Sequence, residues 1–199
     1  MEMIFGLPGS GKTTYLTKKA IKALKKGNYK GMPVERVYTN WAVNYPGIYR
    51  LNWDKLGYEQ YEKCLILIDE ISLFCDSRKW KDNLDKAKMA FFKLYRHYRT
   101  QIIVCSQSYD DADKKIRSLA DEYYQITPCP FGLSRVRSIS REQVVYGKID
   151  EGYYLRGFGS WIFRPRYYKY FDSYEAPQLS PNTATPWILP VEPDTNSSE

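Results

Sequence analysis

Thiol and imidazole metal ligands are scarce: the 199 residues hold one histidine and four cysteines, and no two cysteines form a C-x-x-C pair. That spacing argues against a structural metal site, and Cys64 and Cys105 fall inside apolar runs where a thiol behaves as a small hydrophobe. No apolar stretch approaches the roughly 18 residues of a membrane span, and no charged-then-apolar leader is seen. These absences predict a reducing, cytoplasmic setting. Residues 176–199 lack bases altogether while carrying Glu192, Asp194 and Glu199. With prolines at 177, 181, 186, 190 and 193, this acidic tail is expected to be flexible, with Trp187, Ile188 and Leu189 as its one apolar group able to dock.

What the chain has is ordinary globular material with extra aromatics. Hydrophobic residues make up 43% and charged residues 27%, values that fit a soluble domain, and the nineteen tyrosines lift the aromatic share above the usual. This length accommodates one good core and a small appendage. The formal net charge of +7, concentrated upstream of the acidic tail, favours polyanionic partners such as DNA, RNA or an anionic membrane surface.

Strand and helix signals alternate. Met1 to Phe5 reads as an apolar strand, and Lys12 to Lys26 as a helix with Leu16, Ala20, Ala23 and Leu24 on one face and Gly27 closing it. Val34 to Thr39 reads as a strand before an aromatic loop. Cys64 to Ile68 is a two-sided apolar run, as expected of a central parallel strand. Asp85 to Arg99 has a helical pattern, and Ile102 to Cys105 another buried strand. The spacing predicts an α/β fold: a mostly parallel sheet covered by helices on both faces, over residues 1–127. Past Pro128-Cys129-Pro130 the pattern turns to short strands, Ser134 to Ile139, Gln143 to Ile149 and Tyr153 to Phe158, with a hairpin turn at Asp150-Glu151-Gly152. Residues 128–175 therefore read as a small β-rich extension, and 176–199 as the tail.

Between the first strand and helix stands Gly6-Leu7-Pro8-Gly9-Ser10-Gly11-Lys12-Thr13, the phosphate-binding pattern G-x-x-x-x-G-K-[ST] in its proper context. Gly6, Gly9 and Gly11 let the backbone fold so that N–H groups face phosphate, with Ser10 and Thr14 completing the cradle. Lys12 is placed to reach the outer phosphates of ATP, and Thr13 to give its hydroxyl to Mg²⁺. Such a loop serves pumps, kinases and switches alike. The strand ending in Asp69-Glu70 argues for hydrolysis: Asp69 beside the metal with Thr13, Glu70 orienting and deprotonating water. A GTPase would carry a base-reading N-K-x-D stretch, which is absent, and a nucleotide kinase would need a second substrate pocket and a lid. Gln107, at the end of the strand Ile102 to Cys105, is placed to sense a terminal phosphate or to position the attacking water, and joins Glu70 as a candidate catalytic residue. Arg96, Arg99 and Arg117 are candidates for a cation donated across subunits, without a spacing that chooses among them. The basic and aromatic run Arg156 to Tyr170 suits either a nucleic-acid surface or a core-facing extension, and alternation on strands favours the core.

With its Gly6 to Thr13 loop, Thr39-Asn40, Asp69-Glu70, the basic helix Lys93 to Arg99 and Ser106-Gln107, the chain resembles the zonula occludens toxin-like family. These are filamentous-phage assembly ATPases related to FtsK and HerA type DNA-pumping motors. The resemblance implies a P-loop NTPase that works as a homo-oligomeric ring, hydrolyses ATP with Mg²⁺, and drives DNA extrusion, packaging or virion assembly with phage coat or assembly proteins. It implies a host-cell cytoplasmic location, reaching the membrane through partners or a further segment. A nucleotide-switched DNA- or partner-binding module with little turnover is the alternative from another class, and a small-molecule kinase a third.

Overall fold

The computed structural model describes residues 1–59, 61–74, 86–109, 111–112, 114–140 and 156–172. In chain order the elements are β1 (Glu2–Phe5), α1 (Lys12–Lys26), β2 (Asn28–Tyr29), β3 (Met32–Pro33), β4 (Arg36–Thr39), β5 (Ile48–Arg50) and β6 (Cys64–Ile68). There follow a 3-10 turn (Ile71–Leu73), α2 (Lys86–Leu94), β7 (Gln101–Ser106), α3 (Lys114–Leu119), β8 (Glu122–Pro128), β9 (Leu133–Ile139), β10 (Arg156–Phe163) and a 3-10 segment (Arg164–Tyr170). Eight strands form one sheet in the order β10-β9-β8-β1-β7-β6-β4-β5, and β2 and β3 make a separate hairpin. Every pairing from β8 through β5 is parallel; β9 and β10 add antiparallel to the β8 edge.

The period of two along each strand explains why both faces are covered. On β6, Cys64, Ile66 and Ile68 pack on one face with Phe91 and Phe92 of α2 and Ile116 of α3. Leu65 and Leu67 point the other way, toward Leu16, Ala20 and Ala23 of α1. All five β6 side chains are buried, so two apolar layers share one central sheet. The expected doubly covered parallel sheet is what the chain builds, and the β-rich stretch extends the same sheet.

Several elements differ from the pattern in the residues. The helix expected over Asp85 to Arg99 ends at Leu94; Tyr95 to Arg99 turn back through His97 N–H to Leu94 O and Arg99 N–H to Arg96 O, with Arg99 at φ 52°. The chain must reverse there to enter β7, and the buried Thr100 hydroxyl locks the turn by donating to the Tyr61 carbonyl. Val34 lies before β4, its N–H held by Gly27 O. The strand expected to end at Phe158 runs on to Phe163, its register shifting between Arg156 and Ser160 where Gly159 adopts φ 67°. β5, α3 and β8 were not legible; β8 reads polar, yet Tyr123 and Ile126 are buried beside β1. The expected strand Gln143 to Ile149, the turn at 150–152 and the tail fall outside the described residues.

A buried charge cluster pins β1 to α1. Glu2 accepts from Lys19 at 2.6 Å, from Lys30 at 2.6 Å and from the Tyr29 hydroxyl at 2.5 Å. Burial acts to raise the Glu2 carboxyl, but Lys19, Lys30 and Tyr29 outweigh it and hold it below the usual range, while burial pulls Lys19 down. A lowered carboxyl contributes stability at neutral pH that is lost as pH falls through its folded value. We expect Glu2→Gln, which strands the buried Lys19, to cost about 3 kcal/mol in urea unfolding, and Glu2→Gln/Lys19→Met to recover part of that loss.

Candidate functional site

The loop between β1 and α1 is shaped by its glycines. A side chain at Gly6 would meet Ser10 Oγ at 2.5 Å and the Ile126 carbonyl at 2.7 Å, so nothing larger fits there. Gly11 sits at φ 98°, and a Cβ on it would meet Arg164 Cδ and Ser134 Oγ, both at 2.9 Å. Ser10 N–H closes a turn on Leu7 O at 3.1 Å, and Tyr15 N–H starts the helix on Gly11 O at 2.9 Å. Space above Gly9 is open, with nothing within 4 Å of a Cβ built there. The Lys12 ammonium donates to Gly6 O at 2.7 Å and lies across the loop. Ser10 Oγ is buried without a partner among the described residues.

β6 brings the acids to this loop. The Thr13 hydroxyl donates to Asp69 Oδ2 at 2.5 Å, joining loop and strand end. Asp69 Oδ1 accepts the Glu70 N–H at 3.1 Å. Its own backbone is gripped by one side chain, Asn40, just past β4: the Asp69 N–H donates to Asn40 Oδ1 and Asn40 Nδ2 donates to the Asp69 carbonyl, each at 2.7 Å. Burial pushes the Asp69 carboxyl up, opposed by the Thr13 hydrogen bond and the Lys12 charge. Glu70 is left-handed at φ 53°, a conformation its side chain disfavours, and its Oε1 accepts from the Ser72 hydroxyl at 2.6 Å.

One cleft of about 660 Å³ gathers these groups. Gly9, Gly11, Lys12, Thr13, Thr14, Asp69, Glu70 and Gln107 all line it; Gln107 is exposed at the end of β7. Gly6 and Ser10 lie beneath, shaping the loop. Two hard oxygen donors, Thr13 Oγ1 and Asp69 Oδ2, suit Mg²⁺, which takes one or two protein ligands beside water and phosphate oxygens. No group of three or more His, Cys, Asp or Glu able to hold a metal exists among the described residues.

Arg96, Arg99 and Arg117 are not among the cleft-lining residues. Arg96 pairs with Asp121 at 2.6 Å, Arg99 lies in the turn before β7, and Arg117 stacks on the Tyr109 ring at 4.0 Å. The cleft's own arginine is Arg164, which opens the final 3-10 segment: its Nη1 donates to Gly9 O at 2.9 Å. Ser134, buried on β9, donates to Ser10 O at 2.6 Å. The extension thus seats the loop, a role the residue pattern did not show; the signal available was the basic and aromatic run containing Arg164. In the sequence Asn40 stood out only within Thr39-Asn40, one of the motifs of the family resemblance, with no sign of its grip on Asp69.

A parallel sheet whose first strand feeds a glycine loop and whose next-but-one strand ends in an acid beside that loop defines the P-loop class of α/β nucleotide-binding folds. A family model described as Zonular occludens toxin (Zot) matches residues 1–174, and the chain belongs to that family. Among solved structures, the N-terminal domain of zonular occludens toxin from Neisseria meningitidis superposes with TM-score 0.59 at 17% identity, covering 86% of this chain and 97% of that one. The genome packaging NTPase B204 from Sulfolobus turreted icosahedral virus 2, in complex with ATP-gammaS, superposes with TM-score 0.48 at 16% identity, covering 69% and 90%. No curated protein sequence matches.

A carboxyl raised above its unfolded value makes its ionised form a stability cost that is absent in acid and full above the folded value. Asp69→Asn removes that cost while removing one of the two oxygens suited to Mg²⁺. We expect it to raise the Tm of the protein alone by about 3 °C and to abolish the Tm increase produced by Mg-ATP, both read by thermal unfolding.

Proposed function

We propose that this protein is an oligomeric, Mg²⁺-dependent ATPase that drives viral DNA extrusion, packaging or virion assembly in the host cytoplasm. The observation that carries the reading is the Thr13 to Asp69 contact at 2.5 Å, which joins phosphate loop and acid strand in one cleft with Glu70 and Gln107. The assembly role is what the resemblance to phage assembly ATPases implies, and the Zot family match over residues 1–174 supports that resemblance.

Lys12 would meet the outer phosphates, with the loop N–H groups and the N-terminus of α1 adding positive potential. Thr13 and Asp69 would hold Mg²⁺, which supplies charge neutralisation on the phosphate oxygens. Glu70 orients a water and takes its proton; Ser72, donating to Glu70 Oε1, fixes that carboxylate's direction. Gln107, one strand over, positions the water or reads whether the last phosphate is present. Homo-oligomerisation, phage coat or assembly partners, and membrane attachment through a partner belong to the same proposal. Among the described residues no helix is long and apolar enough to cross a membrane.

DNA as cargo is supported by a second surface. A groove of about 410 Å³ between α1 and the 3-10 segment is lined by Lys18, Lys22, Lys25, Lys26, Arg166 and Lys169 and by no carboxylate. Burial, then the charges of Lys22, Lys19 and Arg166, push the Lys18 ammonium down, so this crowd of like charges favours an anion.

The alternative reading, a nucleotide-switched module with little turnover, draws on the same Ser72 contact, which occupies one oxygen of Glu70. Turnover decides: Glu70→Gln should lower the ATPase rate at least about 100-fold while ATP still binds, and specific activity should climb with protein concentration. Equal rates in parent and variant would leave only the switch. For the groove, Lys22→Glu/Lys25→Glu should weaken DNA binding about 10-fold or more at low salt and reduce the salt slope by about 2, measured by fluorescence anisotropy.

A further inference from the structure

The 3-10 segment Arg164–Tyr170 is a strap across α1. It leaves the phosphate loop at Arg164, whose Nη1 donates to Gly9 O at 2.9 Å, and reaches the loop after β4, where Asn44 N–H donates to Tyr170 O at 2.7 Å. Tyr45 lies edge-on to Tyr170 at 5.8 Å, and Phe171 is buried in the cluster that holds Trp41 and Val43. The strap is thus tied at both ends, and the basic groove lies between it and α1.

That groove offers two chemistries at once. Ile21, Tyr167 and Tyr170 line it beside its five lysines and Arg166. Nearby Lys19 and Lys30 are paired with Glu2, but the groove's own cations pair with no carboxylate among the described residues. A well-matched occupant therefore combines apolar groups with negative charge.

The chain itself supplies such a segment. Residues 176–199, outside the described residues, hold Trp187-Ile188-Leu189 followed by Glu192, Asp194 and Glu199, with no base. By composition this stretch builds no core in which to bury its triplet. It is also attached beside the groove: Asp172 is two residues past Tyr170, and Trp187 fifteen past Asp172. A tether of that length spans about 45 Å when extended. It holds tail and groove at an effective concentration of about millimolar, so weak contacts suffice.

We propose that residues 176–199 dock in this groove, with Trp187-Ile188-Leu189 against Ile21, Tyr167 and Tyr170 and with Glu192 and Asp194 among the lysines. The contact stands on the groove and the tail; its consequence, that the chain covers its own DNA surface, rests on the DNA reading above. Duplex DNA carries one negative charge per about 1.7 Å of axis, far denser than the tail, and so displaces it. Anions of lower charge density are screened out.

Carbodiimide, which joins a carboxylate to an amine in contact with it, reads the docking in the full chain. Cross-links from Glu192 or Asp194 to Lys22, Lys25, Lys26 or Lys169, identified by mass spectrometry, should form at low salt. They should lie within one chain when isotope-labelled and unlabelled protein are mixed, and fall about 5-fold or more when duplex DNA is added. Trp187→Ser/Leu189→Ser leaves every charge in place; it should cut the cross-link yield about 5-fold and tighten DNA binding by a similar factor in fluorescence anisotropy. No groove cross-links, links only between copies, or a yield unchanged in that variant would each overturn the docking, whatever DNA does. Equal DNA affinity in parent and variant would overturn the shielding. Groove cross-links in a parent that binds no DNA would keep the docking and overturn the DNA reading.

Discussion

The hydrogen bond from Thr13 to Asp69 depends on almost every other feature of the molecule being in place. Thr13 is held by the first turn of α1, which the glycine loop launches from β1; Asp69 is held by the end of β6, two strands away through β7. Parallel pairing sets all three strand ends on one rim, so a hydroxyl and a carboxylate far apart in sequence arrive in contact. The cost is a buried carboxylate. Burial raises its pKa, and the protein offsets that with Thr13, Lys12 and the Glu70 N–H.

Asn40 shows how the sheet enforces that geometry. Pairing Thr39 with Leu67 places Asn40 level with Ile68 and Asp69, and one amide side chain then satisfies both backbone groups of Asp69. The strand end cannot fray without exposing two buried polar groups. Asp69 is thus held at both of its backbone groups, and Glu70 beside it stands in a left-handed conformation its side chain disfavours.

The extension has a structural part in the same site. β8 is the strand that allows it: by pairing parallel to β1 and antiparallel to β9, it carries the chain back toward the loop. From there Ser134 reaches Ser10 and Arg164 reaches Gly9. The β-rich stretch is therefore continuous with the nucleotide fold in both hydrogen bonding and packing, with Ile162 and Phe171 buried against the α1 side of the sheet.

Residue order alone determined the loop, α1 with its glycine stop, the buried strands β6 and β7, and the acids at Asp69-Glu70. Those signals are local: hydrophobic period, glycine spacing and a charged residue ending an apolar run. Tertiary structure alone decided that Arg164 rather than Arg96, Arg99 or Arg117 stands in this chain's cleft, that Asn40 anchors Asp69, and that β8 pairs between β1 and β9. Each of these depends on pairing between segments far apart in the chain, and long-range register leaves no periodic trace in either segment by itself.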